Sequence, residues 1–278
     1  ASAFNCPILS ADSRQFFLEM NIGTAKPTED ELRAAEHHFV NFLSIHDEYS
    51  AGHFERDVMS KLKAVFGSHD VAILVGGSGL YVNAILYGFD ELPADSTIRN
   101  ELVQRAKNEG VAALFKELSK LDPTTGEQID SKNTQRVIRA LEVCLVSGKP
   151  YSSFRTNTIK PRPFNTEIIG LSADREVIYK RINQRVDKMF EEGLEDEARQ
   201  LLPFRNLNAL KTVGYRELFQ YFDGEISRDE AIEQIKKNTR NFAKRQLTWF
   251  KREPSTKWFD ISENHLIHPY LRNKVQSE

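Results

Sequence analysis

The run Val71-Ala72-Ile73-Leu74-Val75 is continuously apolar and closes on Gly76-Gly77-Ser78-Gly79-Leu80-Tyr81. An unbroken apolar run ended by a glycine turn, with a helical pattern over 82–87, predicts a fully buried strand of a parallel sheet. Parallel strands need crossover connections and helices over both faces, which constrains the chain to an α/β class. Ile8-Leu9, ending at Ser10, predicts another buried strand, and residues 166–171 predict a third. Residues 29–38 are charged and helical in flavour, and 39–45 are apolar and strand-like. Phe54, Val58, Leu62 and Phe66 recur at every fourth position, the stripe of an amphipathic helix over 49–66.

From 92 to 163 the pattern changes to helices at 98–108, 111–120 and 133–146, the last stopping at Gly148-Lys149-Pro150. Such a run inside an α/β chain predicts a helical insertion domain at 92–163, with the α/β core formed by 1–91 and 164–278. A helix over 175–202 breaks at Gly193. Ser227-Arg228-Asp229-Glu230 is a capping-box pattern opening a long helix, with Ile232, Ile235, Phe242 and Trp249 among its expected buried residues.

Composition narrows the class further. With 278 residues, 40% apolar and 28% charged, the chain reads as an ordinary soluble protein of two domains. Cys6 and Cys144 are too few for a disulfide framework, and without a signal-like leader the expected compartment is the reducing cytosol. No stretch approaches the roughly 18 apolar residues of a membrane span. The histidines carry no metal-ligand spacing. The net charge of −2 says nothing until the charges are located. Residues 236–252 hold seven basic residues, Lys236, Lys237, Arg240, Lys244, Arg245, Lys251 and Arg252, and no acidic one. Interleaved with Phe242, Trp249 and Phe250, this helix has the charge and stacking footprint of nucleic-acid binding; a solvated amphipathic face is the alternative.

Chemistry is expected at Ser10-Ala11-Asp12-Ser13-Arg14-Gln15. Asp12 follows a strand end, where open α/β sheets bind ligands, so its carboxylate either faces a substrate or caps a turn with Ser13. The glycine turn after Val75 is either an anion site built from backbone N–H groups or simply a tight strand-to-helix turn. Its spacing is neither that of a Walker A loop nor Gly-x-Gly-x-x-Gly, since Val82 occupies the third glycine position. Thr24 and Lys26, in the loop over 21–27, are residue types that meet phosphate or sugar.

Five segments stand in a telling order: Ser10-Ala-Asp-Ser-Arg-Gln15, Ile22-Gly-Thr-Ala-Lys-Pro27, Leu74-Val-Gly-Gly-Ser-Gly-Leu-Tyr81, Thr212-Val-Gly-Tyr-Arg216 and Lys244-Arg-Gln-Leu-Thr-Trp249. Over about residues 1–260 the chain resembles the bacterial tRNA dimethylallyltransferases. The resemblance implies a P-loop-NTPase-like parallel sheet core with an inserted helical domain that contacts the tRNA anticodon stem-loop. It also implies transfer of a dimethylallyl group from dimethylallyl diphosphate to N6 of the adenosine just 3′ of the anticodon, with Mg²⁺ on the diphosphate. An exocyclic adenine amine is a weak nucleophile and needs a carboxylate to take its proton, the role that falls to Asp12. Ser13, Arg14 and Gln15 match residues that hold the target nucleotide. Ser78 matches a residue lining the channel to the prenyl donor, where the family often has Thr. Arg99, Gln135, Arg136, Arg139, Lys211, Thr212, Gly214, Tyr215, Arg216, Thr239, Arg240, Lys244, Arg245 and Gln246 match tRNA-contacting segments. The expected enzyme is a cytoplasmic monomer with no membrane partner.

Two departures accompany the resemblance. Where the family often has Val-Tyr-Arg-Gly-Met-Asp, this chain has Phe16-Phe17-Leu18-Glu19-Met20-Asn21, losing a phenol and a positive charge. The phosphate loop that precedes the Asp-containing strand in the family is expected upstream of Ala1. The competing readings are a free-nucleotide isopentenyltransferase or another P-loop nucleotide-modifying enzyme, against which the basic helix argues, and a tRNA-binding protein without catalysis.

Overall fold

The computed structural model describes residues 1–156 and 158–276 and resolves into two compact units, Ala1–Leu86 with Arg162–Glu278, and Tyr87–Pro161. In the first unit, β1 (Ile8–Ser10), β2 (His37–His38) and β3 (Ile73–Val75) form a parallel sheet in the order β2-β1-β3. Ile8 lies opposite both His37 and Ile73, and Ser10 opposite Val75. Three helices accompany this sheet: α1 (Glu29–Ala34), α2 (Ala51–Val65) and α3 (Gly79–Tyr87). Thr28 with Glu31 and Ser50 with His53 close capping boxes on α1 and α2, satisfying first-turn N–H groups. The α2 stripe of Phe54, Val58 and Leu62 buries against Leu9, Ala11 and Phe16. Each fully buried side chain of this size contributes roughly 1.5–3 kcal/mol.

Two strand expectations fail here. Residues 39–45 form no strand: Phe39 and Asn41 take left-handed φ of 62° and 54°, which no ladder accommodates, and Leu43 makes only a single bridge to Phe17. The run over 71–75 is not fully buried either. Only Ile73–Val75 is strand, and because β3 stands at the edge of its sheet, Val75 is 53% exposed.

The second unit holds α4 (Ser96–Asn108), α5 (Val111–Leu121), α6 (Pro123–Gln128) and α7 (Thr134–Ser147) around Leu102, Leu114, Leu118, Val137 and Leu141. Its bounds precede the expected 92 and 163, and Lys160 N–H donates to the Tyr87 carbonyl at 2.9 Å where the chain leaves and returns.

The first unit resumes with β4 (Ile169–Ser172), α8 (Arg175–Glu191), α9 (Leu194–Leu201), α10 (Tyr215–Phe222), α11 (Arg228–Phe250), β5 (Lys257–Asp260) and α12 (Ile267–Gln276). β4 and β5 pair in parallel as a separate two-stranded sheet. The helices enclose a core of Val186, Leu194, Ala198, Leu201, Tyr215, Leu218 and Ile235, into which Phe17 and Met20 also insert. Phe16 and Phe17 therefore enter different cores, which pins the segment after Asp12 from both sides. Both rings are buried, and this accounts for the departure there: the segment carries packing groups in place of a phenol.

In α11 only Ala231 and Ile235 are buried, against expectation for Phe242 and Trp249, which are 44% and 37% exposed. The helix packs its early turns and leaves its later ones largely uncovered. Among the described residues no helix is long and apolar enough to cross a membrane.

Candidate active site

Asp12 follows β1, and its carboxylate does turn chemistry: Oδ1 accepts from the N–H groups of Arg14 at 2.8 Å and Gln15 at 3.3 Å. Both of those bonds fall on one oxygen. The same residue lines a cleft of about 420 Å³ together with Ser10, Gln15, Glu31, His37 and Gly76. The two readings of Asp12 are thus compatible, since the turn fixes a carboxylate that still borders a cavity. Ser10 supports it from below, its Oγ accepting from Asp12 N–H at 3.3 Å and donating to Gln15 Oε1 at 3.1 Å. Gln15 spends its amide donors on the carbonyls of Ala25 at 3.0 Å and Thr24 at 3.4 Å. Arg14 donates to the Asn208 carbonyl at 3.2 Å; burial pushes its guanidinium below the usual arginine value, with Tyr81 and Asp12 opposing.

The glycine turn meets this segment directly. Ser78 Oγ accepts from Ser13 N–H at 3.0 Å and donates to Ser13 Oγ at 3.1 Å. A Cβ at Gly76 would lie 2.5 Å from the Ala11 backbone, and one at Gly79 would lie 2.4 Å from the Trp249 ring. Close approach is therefore sufficient reason for these glycines. Gln246 Nε2 donates to the Gly77 carbonyl at 2.9 Å, so late α11, the Gly-rich turn and the Asp12 turn form one connected cluster.

A further anchor was not legible in the sequence. Glu197 of α9 accepts from three successive backbone N–H groups, Asn21 at 2.9 Å, Ile22 at 2.8 Å and Gly23 at 3.0 Å, and from Tyr215 Oη at 2.6 Å. Lys26 sits in the same loop with Nζ on the Phe17 carbonyl and on the Asn21 and Asn41 side chains. Burial lowers its pKa to about 8, while Glu197 and Glu19 pull the other way. Glu19, beside Leu18 where the family's positive charge is lost, accepts from Ser44 Oγ at 2.6 Å and Ile45 N–H at 3.0 Å.

The family profile described as IPP transferase matches residues 15–253. The chain belongs to that family. A tRNA dimethylallyltransferase from Christiangramia forsetii is 52% identical over 279 residues, covering 100% of this chain and 92% of the relative. Another from Flavobacterium johnsoniae is 51% identical over 286 residues, covering 100% and 93%. The solved tRNA isopentenylpyrophosphate transferase of Bacillus halodurans superposes with a TM-score of 0.71 at 36% identity, covering 99% of this chain and 89% of that one. The mixed α/β fold with its small parallel sheets is the P-loop-NTPase-like fold of these transferases.

The other residues that the IPP transferase resemblance singles out divide by what they touch. Tyr215 is fully buried with its hydroxyl on Glu197, so its side chain is not presented to a ligand, and Gly214 is buried with its N–H on Glu217 at 2.8 Å. Lys211 and Arg216 are exposed, and Thr212 is partly buried. On α11, Lys244 and Arg245 are exposed. Arg240 donates to Asn183 Oδ1 at 2.7 Å and lies over the Tyr179 ring, and Thr239 Oγ1 bonds back to the Ile235 carbonyl at 2.8 Å. Lys236, read as part of the basic face, is held by Asp187 at 2.7 Å. In the helical unit, Gln135 and Arg136 are exposed, whereas Arg99 and Arg139 reach Glu142 at 2.8 and 3.0 Å, and the Glu142 side chain is wholly buried.

A second cleft, of about 560 Å³, lies at the carboxyl ends of β4 and β5 and is lined by Ser172, Arg181, Arg185, Lys188 and Ile261 among others. Three cations on one face of α8 can hold a polyanion there. Their spacing at 181, 185 and 188 is a helical stripe present in the sequence beside the apolar stripe of Ile178, Ile182, Val186 and Phe190 on the same helix.

Proposed function

We infer that this chain transfers a dimethylallyl group from dimethylallyl diphosphate to N6 of the adenosine 3′-adjacent to the anticodon of tRNA. The observation that carries this reading is Asp12, a carboxylate fixed by its turn at the end of β1 and lining a cleft, in a chain of the IPP transferase family. The amine lone pair of N6 is delocalised into the ring, so attack needs its proton removed as the bond forms. Asp12 accepts that proton while the new C–N bond forms, and the allylic C–O bond breaks with its electron pair leaving on the diphosphate. The base must leave the loop stack to reach the carboxylate. Arg181, Arg185 and Lys188 of the second cleft supply positive charge suited to a diphosphate. The exposed Lys244 and Arg245, with Lys211 and Arg216, supply phosphate contacts for the RNA. Mg²⁺ is proposed as a companion of the diphosphate, since it commonly binds through substrate phosphates and one or two carboxylates. Among the described residues no three His, Cys, Asp or Glu side chains gather to hold a metal ion.

The test is prenyl transfer to an anticodon stem-loop, followed by mass analysis of the RNA, for the parent and Asp12→Ala. Loss of a general base lowers turnover by about 10² to 10⁴ while RNA affinity stays near parental. Turnover within about tenfold of the parent removes Asp12 from the mechanism. In the same assay, Arg181→Ala with Arg185→Ala raises KM for the donor more than for the RNA.

A further inference from the structure

We propose that Glu197 is a positioning residue for the adenosine site, acting through the loop over 21–25 and Gln15 on the turn that carries Asp12. The proposal rests on Asp12 being the base.

Three consecutive N–H groups converging on one carboxylate form an anion nest, here filled by the protein's own side chain. The nest closes the first turn of the short helix Ile22–Thr24, and Ala25 follows it at a φ of 49°, a conformation unfavourable for a residue with a Cβ. Held this way, the carbonyls of Thr24 and Ala25 both point to Gln15 Nε2. Gln15 Oε1 is thereby fixed to accept from Ser10 Oγ, and Ser10 Oγ accepts from Asp12 N–H. The relay runs from Glu197 to the 21–25 backbone, then to Gln15, Ser10 and Asp12, each link a hydrogen bond. Tyr215 fixes the other end: its hydroxyl donates to the same Glu197 oxygen as Gly23, and a Cβ at Gly23 would lie 2.6 Å from that hydroxyl. Glu197 thus sits where α9, the buried Tyr215 and the loop meet, and it is Gln15, not Glu197, that lines the Asp12 cleft.

A group that works through Gln15 must show coupling to Gln15 in turnover. Single-turnover prenyl transfer to an anticodon stem-loop is measured for the parent, Glu197→Gln, Gln15→Ala and the double variant, with RNA affinity followed separately. Glutamine at 197 places an NH₂ where a backbone N–H expects an acceptor, so the rate is expected to fall about tenfold or more while RNA affinity changes by less than about threefold. Gln15→Ala falls similarly, and the double variant is within about threefold of the slower single, because the relay is already cut. Losses that multiply, a parental rate in Glu197→Gln, or a parental rate in Gln15→Ala would each overturn the proposal. Should Glu197→Gln fail to fold, the same cycle is run with Tyr215→Phe, which removes one of the four bonds and is expected to give a smaller, equally coupled loss. Asp12→Ala in parallel keeps the two readings apart: if it retains turnover, the assignment of the base fails whatever coupling the cycle returns.

Discussion

Ser13 donates its backbone N–H to Ser78 Oγ at 3.0 Å, which fastens the turn carrying Asp12 to the Gly-rich turn that follows β3. Residues 65 apart in sequence are joined by a hydroxyl that both accepts and donates. The family's threonine at this position offers the same hydroxyl. Ser78→Ala leaves Ser13 N–H without its acceptor, a loss of about 1 kcal/mol that translates to a several-fold slower prenyl transfer. Ser78→Thr is expected to keep the parental rate. Equal rates in Ser78→Ala and the parent, at matched thermal midpoints, would show that the fastening is dispensable.

Arg99 and Glu142 give a different lesson. Arg99 reaches Glu142 through Nε at 2.9 Å and Nη2 at 2.8 Å, and Arg139 adds a third contact at 3.0 Å. The carboxylate has 0% side-chain exposure, so it depends on these partners and on Asp95 N–H at 3.0 Å. Arg99→Ala should therefore lower the stability of the helical unit by about 1–3 kcal/mol, because a buried acceptor is left under-satisfied. Arg136→Ala, at an exposed position of α7, should leave stability within about 0.5 kcal/mol and act only on RNA binding. Urea midpoints beside stem-loop affinities separate the two. The reverse pattern would make Arg99 chiefly an RNA contact.

Legibility followed the range of the physics involved. β1, the Gly-rich turn and the Asp12 turn were readable because a short apolar run ended by small polar residues is a local signal. β2 was not, since His37–His38 has no apolar run and is held by pairing to β1 and by Ile8 N–H on the Glu36 carbonyl at 2.8 Å. β5, Lys257–Asp260, is two aromatics between two charged residues, and it forms only on β4, far away in sequence. Glu197 and Glu142 carry no local signal that separates them from helix-surface acids, and only tertiary contacts show one nesting backbone amides and the other buried beneath two arginines. The long basic helix was visible as charge. Which of its cations are spent internally was not.

That distinction predicts unequal contributions along α11. Lys244 and Arg245 are exposed, whereas Arg240 is committed to Asn183 and Tyr179. A single-strand phosphate contact contributes roughly 0.7 to the log–log salt slope of binding, so Lys244→Ala with Arg245→Ala should flatten the slope by up to about 1.4. Arg240→Ala should change the slope less and lower the thermal midpoint more. An unchanged slope in the double variant would make this a solvated face with no role in RNA binding.

Acid stability of the helical unit turns on Asp122. Its carboxylate is 1% exposed and accepts from Thr125 N–H at 3.0 Å, Thr125 Oγ1 at 2.6 Å, Ser152 N–H at 2.7 Å and Ser152 Oγ at 2.9 Å. Burial acts to raise its pKa, but the four hydrogen bonds together outweigh it and hold the carboxyl below the usual aspartate value. A depressed carboxyl contributes stability that is present above the unfolded value of about 3.9 and is lost as pH falls through the lower folded value. The loss therefore begins near pH 4 and deepens below it, as the N-cap of α6 and its tie to Ser152 are protonated. Asp122→Asn keeps the shape but offers one acceptor oxygen in place of two, so it should cost about 1–3 kcal/mol near neutral pH. It should also remove this residue's share of the acid loss, so that urea midpoints of parent and variant converge as pH falls below about 4. Midpoints that stay equally far apart at neutral and acid pH would show that Asp122 contributes shape alone and no charge.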